Sequence, residues 1–131
     1  MKLTTRSRYG ARLMLDLARH FDQGPVHLKD VASREGISVK YLEQLIIPLK
    51  KQGLVQSIQG PKGGHILARP PESISFAEII KSLETSAFLM ECVERPQSWA
   101  RYSVCPTRDI WRQIKQAMYR ELENIFLGNK L

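Results

Sequence analysis

The side chains with the most scope for chemistry in this chain are Cys92 and Cys105, its only two cysteines, with twelve residues between them in the stretch ECVERPQSWARYSVCP. A thiolate can serve as nucleophile, metal ligand or redox centre. The spacing is neither CxxC nor CxxxC, so it supports neither a zinc site nor a thioredoxin-type dithiol. His20, His27 and His65 all lie in the first half of the chain, at no spacing that marks one as the base of a cysteine nucleophile. The glycine-rich QGPKGG at 59–64 lacks the GxxxxGKS/T pattern of a phosphate-cradling loop, and no helical pattern follows it. With neither acid–base nor nucleotide machinery in view, the chain is expected not to be an enzyme.

Composition points to another kind of chemistry. The 131 residues are 43% hydrophobic, enough for one ordinary core and too few for a large multidomain enzyme. Net charge is +7, and it is unevenly placed: residues 1–65 hold eleven Lys/Arg against five Asp/Glu, whereas residues 66–131 hold nine against eight. A basic half on a near-neutral body is the footprint of a polyanion partner, because neutralised phosphates release counterions. A solvated basic surface would give the same count, so charge alone does not decide. Arg6, Arg8 and Arg12 stand where a secretory segment needs apolar residues, and no uncharged apolar run is long enough to span a bilayer. The expectation is a cytoplasmic protein with no membrane partner, in which two cysteines are a poor basis for a structural disulfide.

The elements that must position these groups follow from hydrophobic spacing. From Ser7 to Phe21, Tyr9, Leu13, Leu17 and Phe21 recur four apart with Met14 and Ala18 beside them, which predicts an amphipathic helix ended by DQGP. HLKDVASREG predicts a second, short helix burying Leu28, Val31 and Ala32 and stopping at Gly36. In ISVKYLEQLIIPLKKQG, Ser38 is the expected cap, Leu42, Leu45, Ile46 and Leu49 form the buried stripe, Gly53 ends the helix, and Pro48 should bend its last turn. Two short helices joined by a tight turn make a helix-turn-helix. LVQSI at 54–58 and HILA at 65–68 then read as strands around a cationic hairpin tip, a wing. Ser75 with Glu78 predicts a capping box for a helix burying Phe76, Ile79, Ile80 and Leu83. Thr107 is the expected cap of a last helix, whose stripe of Ile110, Ile114, Met118, Leu122 and Ile125 or Phe126 runs for about twenty residues, roughly 30 Å.

That last helix, projecting from a small body, is expected to pair with its copy in a second subunit, which would set two helix-turn-helix modules on a pseudo-palindromic duplex. Folding back onto its own domain is the alternative. The expected fold is therefore mainly α: a winged helix-turn-helix over 1–70 with a small two-stranded wing, a linking helix and cysteine loop over 71–106, and a long dimerisation helix over 107–131.

Five ordered stretches, MKLTTRSRYGARLMLDLA, GPVHLKDVASREGIS, YLEQL, GLVQSIQGPKGGHIL and CPTRDIW, together resemble the IscR/NsrR/CymR-type winged-helix transcription regulators of bacteria, the Rrf-two superfamily, across essentially the whole chain. The resemblance implies major-groove readout from the start of the third helix by Ser38, Lys40, Tyr41, Glu43 and Gln44. It also implies that the wing tip, Gln59, Gly60, Pro61, Lys62 and Gly63 as far as Gly64, enters the minor groove. The residue types suit this: Gln44 can pair bidentately with adenine, Glu43 can accept from cytosine N4, and Arg6, Arg8, Lys40, Lys50 and Lys62 offer cations to phosphates. For Tyr41, packing against the first helix stands as an equal alternative, and Lys50 and Lys51 also complement the dipole of a helix C-terminus.

The same resemblance implies an iron-sulfur cluster held by three closely spaced cysteines and a fourth, variable ligand. Cys92 and Cys105 match the first and third positions; Trp99 stands at the middle one, and an indole has no lone pair suited to iron. In some relatives a non-cysteine ligand comes from the first helix of the partner subunit, but the matching positions here are Arg8 and Arg12, and Arg108 stands near where another relative has histidine. Asp109 is a candidate oxygen ligand set against an ordinary role at its helix N-terminus. Three readings stay open: a cluster site crippled at Trp99, a Cys92/Cys105 thiol switch, or two inert thiols. Cluster binding by this chain is expected to be absent or weak. The expected function is a homodimeric regulator whose loop senses iron-sulfur or redox status and repositions the last helix; the alternative is a cofactor-free, CymR-like repressor controlled by a protein partner or by the thiol pair.

Overall fold

The computed structural model describes residues 3–84 and 106–131. Cys92, Trp99 and Cys105, with the loop readings attached to them, lie outside the described residues. Among the described residues the order is α1 (Thr5–Arg19), α2 (Leu28–Glu35), α3 (Val39–Lys51), β1 (Val55–Ile58), β2 (Gly64–Leu67), α4 (Phe76–Leu83) and α5 (Arg108–Glu123). Short 3-10 turns cover Pro71–Ser73 and Leu127–Lys130. Helix-turn-helix, wing and linking helix are all present as the hydrophobic spacing predicted.

The first helix starts and stops two residues earlier than its apolar pattern suggests. Thr4 sits at its N-cap position but makes no cap bond; its N–H and hydroxyl both donate to Glu84, at 3.0 and 2.8 Å. Phe21 falls beyond the helix and packs half-buried against the core. Leu13, Met14 and Leu17 supply the buried face, meeting Leu42, Leu45 and Leu49 of α3 and Leu83 of α4. A glycine inside a helix costs about 1 kcal/mol against alanine, yet Gly10 is required here: a Cβ on it would lie 2.1 Å from Leu83 Cδ1. That close crossing sets α4 against α1.

The helix-turn-helix closes as predicted. Gly36 adopts a left-handed φ of 66° after α2, and Ser38 Oγ accepts from the N–H of Tyr41 at 3.1 Å to start α3. Pro48 lies inside α3, and the helix continues past it to Lys51. The strands pair antiparallel in the register Val55↔Leu67 to Ile58↔Gly64. A third contact extends this sheet: Val26, just before α2, exchanges backbone hydrogen bonds with His65 at 2.9 and 2.8 Å. Gly64 permits it, since a Cβ there would meet the carbonyl oxygen of Val26 at 2.6 Å.

The capping box of α4 forms in full between Ser75 and Glu78. Ile79, Ile80 and Leu83 are buried as predicted, but Phe76, in the first turn, is only half-buried. Thr107 occupies the N-cap of α5 without capping it; its hydroxyl accepts instead from Trp111 Nε1 at 3.0 Å. The helix has 16 residues, about 24 Å, shorter than its stripe suggested. The apolar spacing continues past Glu123, but the backbone leaves the helix: Phe76 N–H donates to Ile125 and Leu127 N–H to Ile74, both at 2.8 Å. Leu127 then enters the main core with no exposed surface. The chain end thus folds back on the winged-helix body, while Ile110 and Ile114 stay 51% and 36% exposed.

Carboxylates fasten both ends of α1 to its neighbours. Arg34 of α2 makes a two-pronged contact with Asp16 at 2.8 and 2.7 Å, and the Asp16 side chain is only 3% exposed. At the other end, Glu84 accepts from Ser7 Oγ as well as from Thr4. Burial pushes the Glu84 carboxyl up, but these donors, with Arg6 nearby, outweigh it and hold it below its ordinary value of 4.5. A lowered folded-state value means a contribution to stability that is complete above the unfolded-state value and lost as pH falls through the folded one. Glu84→Gln is therefore expected to flatten the fall in Tm on acidification below pH 4.5. Melting curves of both proteins between neutral and acidic pH check this, and parallel curves would refute it.

Candidate nucleic-acid interface

The third helix separates its residues sharply by side. Leu42, Leu45, Ile46 and Leu49 are buried, whereas Lys40, Glu43, Gln44 and Lys50 are exposed on the other side. The Ser38 hydroxyl is engaged as the cap acceptor, which fixes the first turn and hence where Lys40, Glu43 and Gln44 project. Tyr41 behaves differently from its neighbours. It is half-buried, with its ring edge-on to Tyr9 of α1 at 5.8 Å and 87°. Arg12 in turn lies 5.4 Å over the Tyr9 ring. Of the two roles open to Tyr41, the ring is given to packing, an arrangement that locks the start of α3 to α1.

The wing tip presents Gln59, Gly60, Pro61 and Lys62 to solvent. Gly63 is buried; its N–H donates to Gly60 at 2.9 Å, and it shapes the turn instead of offering a surface. Lys50 stands near enough to the wing base to act on His65. Burial first, then the Lys50 charge, lowers the His65 imidazole below its usual value of 6.5, and its Nδ1 is buried without a hydrogen-bond partner. Neutral imidazole is the form this site favours.

The expected phosphate cations do not all share one place. Arg8 is exposed on α1, but Arg6 is half-buried in the α1/α4 corner, where its charge acts on Glu84. Sequence reasoning missed the Asp16–Arg34 pair. Its signal was available: a carboxylate between Leu13 and Leu17 on the apolar face needs a buried partner. The Val26–His65 bridge carried no comparable signal.

A helix-turn-helix followed by a pinned two-stranded wing is an architecture that other proteins share. The family description "Rrf2: Iron-dependent Transcriptional regulator" matches residues 3–129. The chain belongs to the Rrf2 family. Protein rrf2 of Nitratidesulfovibrio vulgaris is 46% identical over 129 residues, covering 98% of this chain and 86% of that protein. Among solved structures, T. potens IscR superposes with a TM-score of 0.79 at 39% identity, over 99% of this chain and 85% of that one. CymR (YrzC), the global cysteine regulator of B. subtilis, gives 0.78 at 34% identity, over 98% and 94%. The Rrf2 family is one of transcriptional regulators and not of enzymes, so this chain is a DNA-binding regulator of the IscR/CymR kind.

Rrf2-type cluster chemistry makes a demand on this chain's donor set. A cluster is ordinarily held by four thiolates, and the whole sequence has two cysteines. Among the described residues no group of three or more His, Cys, Asp or Glu side chains comes together to supplement them. Asp109 lies in the first turn of α5, 3.4 Å from Arg112 and 3.9 Å from Arg108, with its side chain 68% exposed. Its two cysteines alone do not supply the four thiolates that ordinarily hold such a cluster. Among the described residues no helix is long and apolar enough to cross a membrane.

Proposed function

We propose that this Rrf2-family chain acts as a cytoplasmic homodimer that reads a pseudo-palindromic operator, with its affinity set by the state of the loop holding Cys92 and Cys105. The observation that carries the reading is the two-sidedness of α3: a capped, fixed first turn with Lys40, Glu43 and Gln44 outward over a wholly apolar inner face. In the major groove Gln44 donates to and accepts from an adenine edge and Glu43 accepts from cytosine N4, while Lys40, Lys50, Arg8 and Lys62 of the wing neutralise phosphates. Dimerisation falls to α5, whose residues are none of them buried in the single chain and whose outer side carries Ile110 and Ile114. The segment holding Cys92 and Cys105 precedes that helix in the sequence, so a change in its state biases the spacing of the two α3 helices.

The two-thiol donor set favours a Cys92/Cys105 switch over a cluster in this chain. The test begins with duplexes selected by the protein from a random pool. Binding is then titrated for reduced protein, diamide-oxidised protein and protein treated anaerobically with iron and sulfide, beside Gln44→Ala and Trp99→Cys. Gln44→Ala is expected to lose about tenfold or more in affinity, the loss of one bidentate base contact. Oxidation is expected to shift the affinity of the wild type, and only Trp99→Cys is expected to develop cluster absorbance. Equal affinity in all three states would remove the sensor and leave the DNA role; failure to select any duplex would remove both.

A further inference from the structure

Ile47, on the outward side of α3, has no part in the contacts above. Ile47 is 66% exposed, the most exposed large apolar side chain among the described residues. At about 100° per residue, Val39, Lys50, Glu43, Ile47, Lys40, Lys51 and Gln44 fall in that order within an arc of about 140°, and all are exposed. Ile47 is therefore at the centre of the arc, between Glu43 and Lys40. Nothing local asks for it: a β-branched side chain is a mediocre helix former, and it covers no core surface.

The surroundings identify what it meets. An apolar residue flanked by Lys40, Lys50 and Lys51 suits a polyanion with an apolar feature at its centre better than an apolar protein surface, which would strand three cations. The major groove has that composition: phosphates at its margins and, on its floor, the 5-methyl group of thymine as the apolar element of the base edges. We infer that Ile47 is a specificity residue that packs on thymine methyl groups in the operator, adding a T preference next to the bases reached by Glu43 and Gln44. The inference rests on the reading of α3 as the groove-binding helix.

The experiment takes the best duplex that the wild type selects from a random pool and replaces each thymine in turn by deoxyuridine, which lacks only the methyl group. The wild type is expected to lose about three- to tenfold at one or two positions in each half-site, the effect of one buried methyl contact. Ile47→Ala should bind the thymine duplex that much more weakly and show no further loss with deoxyuridine, while Ile47→Val should keep most of the effect. The salt dependence of Ile47→Ala should match the wild type, because no phosphate contact is removed. Methyl dependence that persists unchanged in Ile47→Ala, no dependence in the wild type, or an altered oligomeric state of Ile47→Ala would each overturn the inference. A wild type that selects no duplex would instead overturn the groove-binding reading beneath it.

Discussion

Replacing both Ile110 and Ile114 with aspartate is expected to yield a folded monomer that binds a two-half-site duplex roughly 10²- to 10⁴-fold more weakly than the wild type. The size follows from effective concentration: once one half of a dimer is seated, the other is presented to its half-site at millimolar levels, and a monomer loses that gain. The direction follows from exposure. These side chains stand 51% and 36% exposed on a helix with no fully buried residue, so aspartate there removes only part-buried apolar contacts from the single chain. Across a two-fold axis the same changes set four carboxylates in an apolar contact, where unpaired charge is strongly unfavourable. Sedimentation gives the oligomeric state, and a duplex with a single half-site supplies the control, for which affinity should change little. A variant that stays dimeric and keeps full affinity would transfer dimerisation to another surface.

Arg34→Ala is expected to destabilise the fold by about 3 kcal/mol, the usual cost of leaving a buried charge without its partner. The asymmetry of the pair sets the magnitude: Arg34 is 40% exposed and could be solvated alone, but the Asp16 side chain is 3% exposed. Among the described residues, only His20, at 3.5 Å, is paired with Asp16 besides Arg34. The Arg12–Glu35 contact joins the same two helices with side chains 44% and 18% exposed, and Arg12→Ala should cost no more than about 1 kcal/mol. Urea denaturation of the two variants compares them directly; equal losses would show that the Asp16 site is not the fastening point of α2 on α1.

Much of this architecture is legible in the sequence because its signals are local. Ser38 and the Ser75–Glu78 box mark helix starts through bonds made within one turn, and the glycines of QGPKGG mark the hairpin in the same way. The misplaced features depend on distant partners. The start of α1, two residues ahead of its apolar pattern, is held by Thr4, which donates to Glu84, eighty residues away. The stripe of α5 runs on to Phe126 in sequence, yet the backbone pairs with Ser75 and Ile74, which no periodicity reveals. Tyr41 shows the limit for the candidate interface: its position in the first turn of α3 is plain from spacing, but its ring contact with Tyr9 depends on how α1 crosses α3. In LIIP the stripe assigns Ile46 to the core; that Ile47 is left outside gains meaning only once the cations around it are placed.

The bridge between Val26 and His65 reaches beyond sheet geometry. It joins the wing to the segment entering α2, and Ala68 N–H donates to Leu54 at 3.0 Å at the other end of the hairpin, so the base of the wing is held from two directions before any ligand arrives. A hairpin already held in place has little conformational entropy left to lose on docking. Calorimetrically, association should then lack the large negative heat-capacity change of a segment that folds as it binds. Its affinity should answer to ionic strength through the lysines, and its encounter rate to electrostatic steering instead of a slow ordering step.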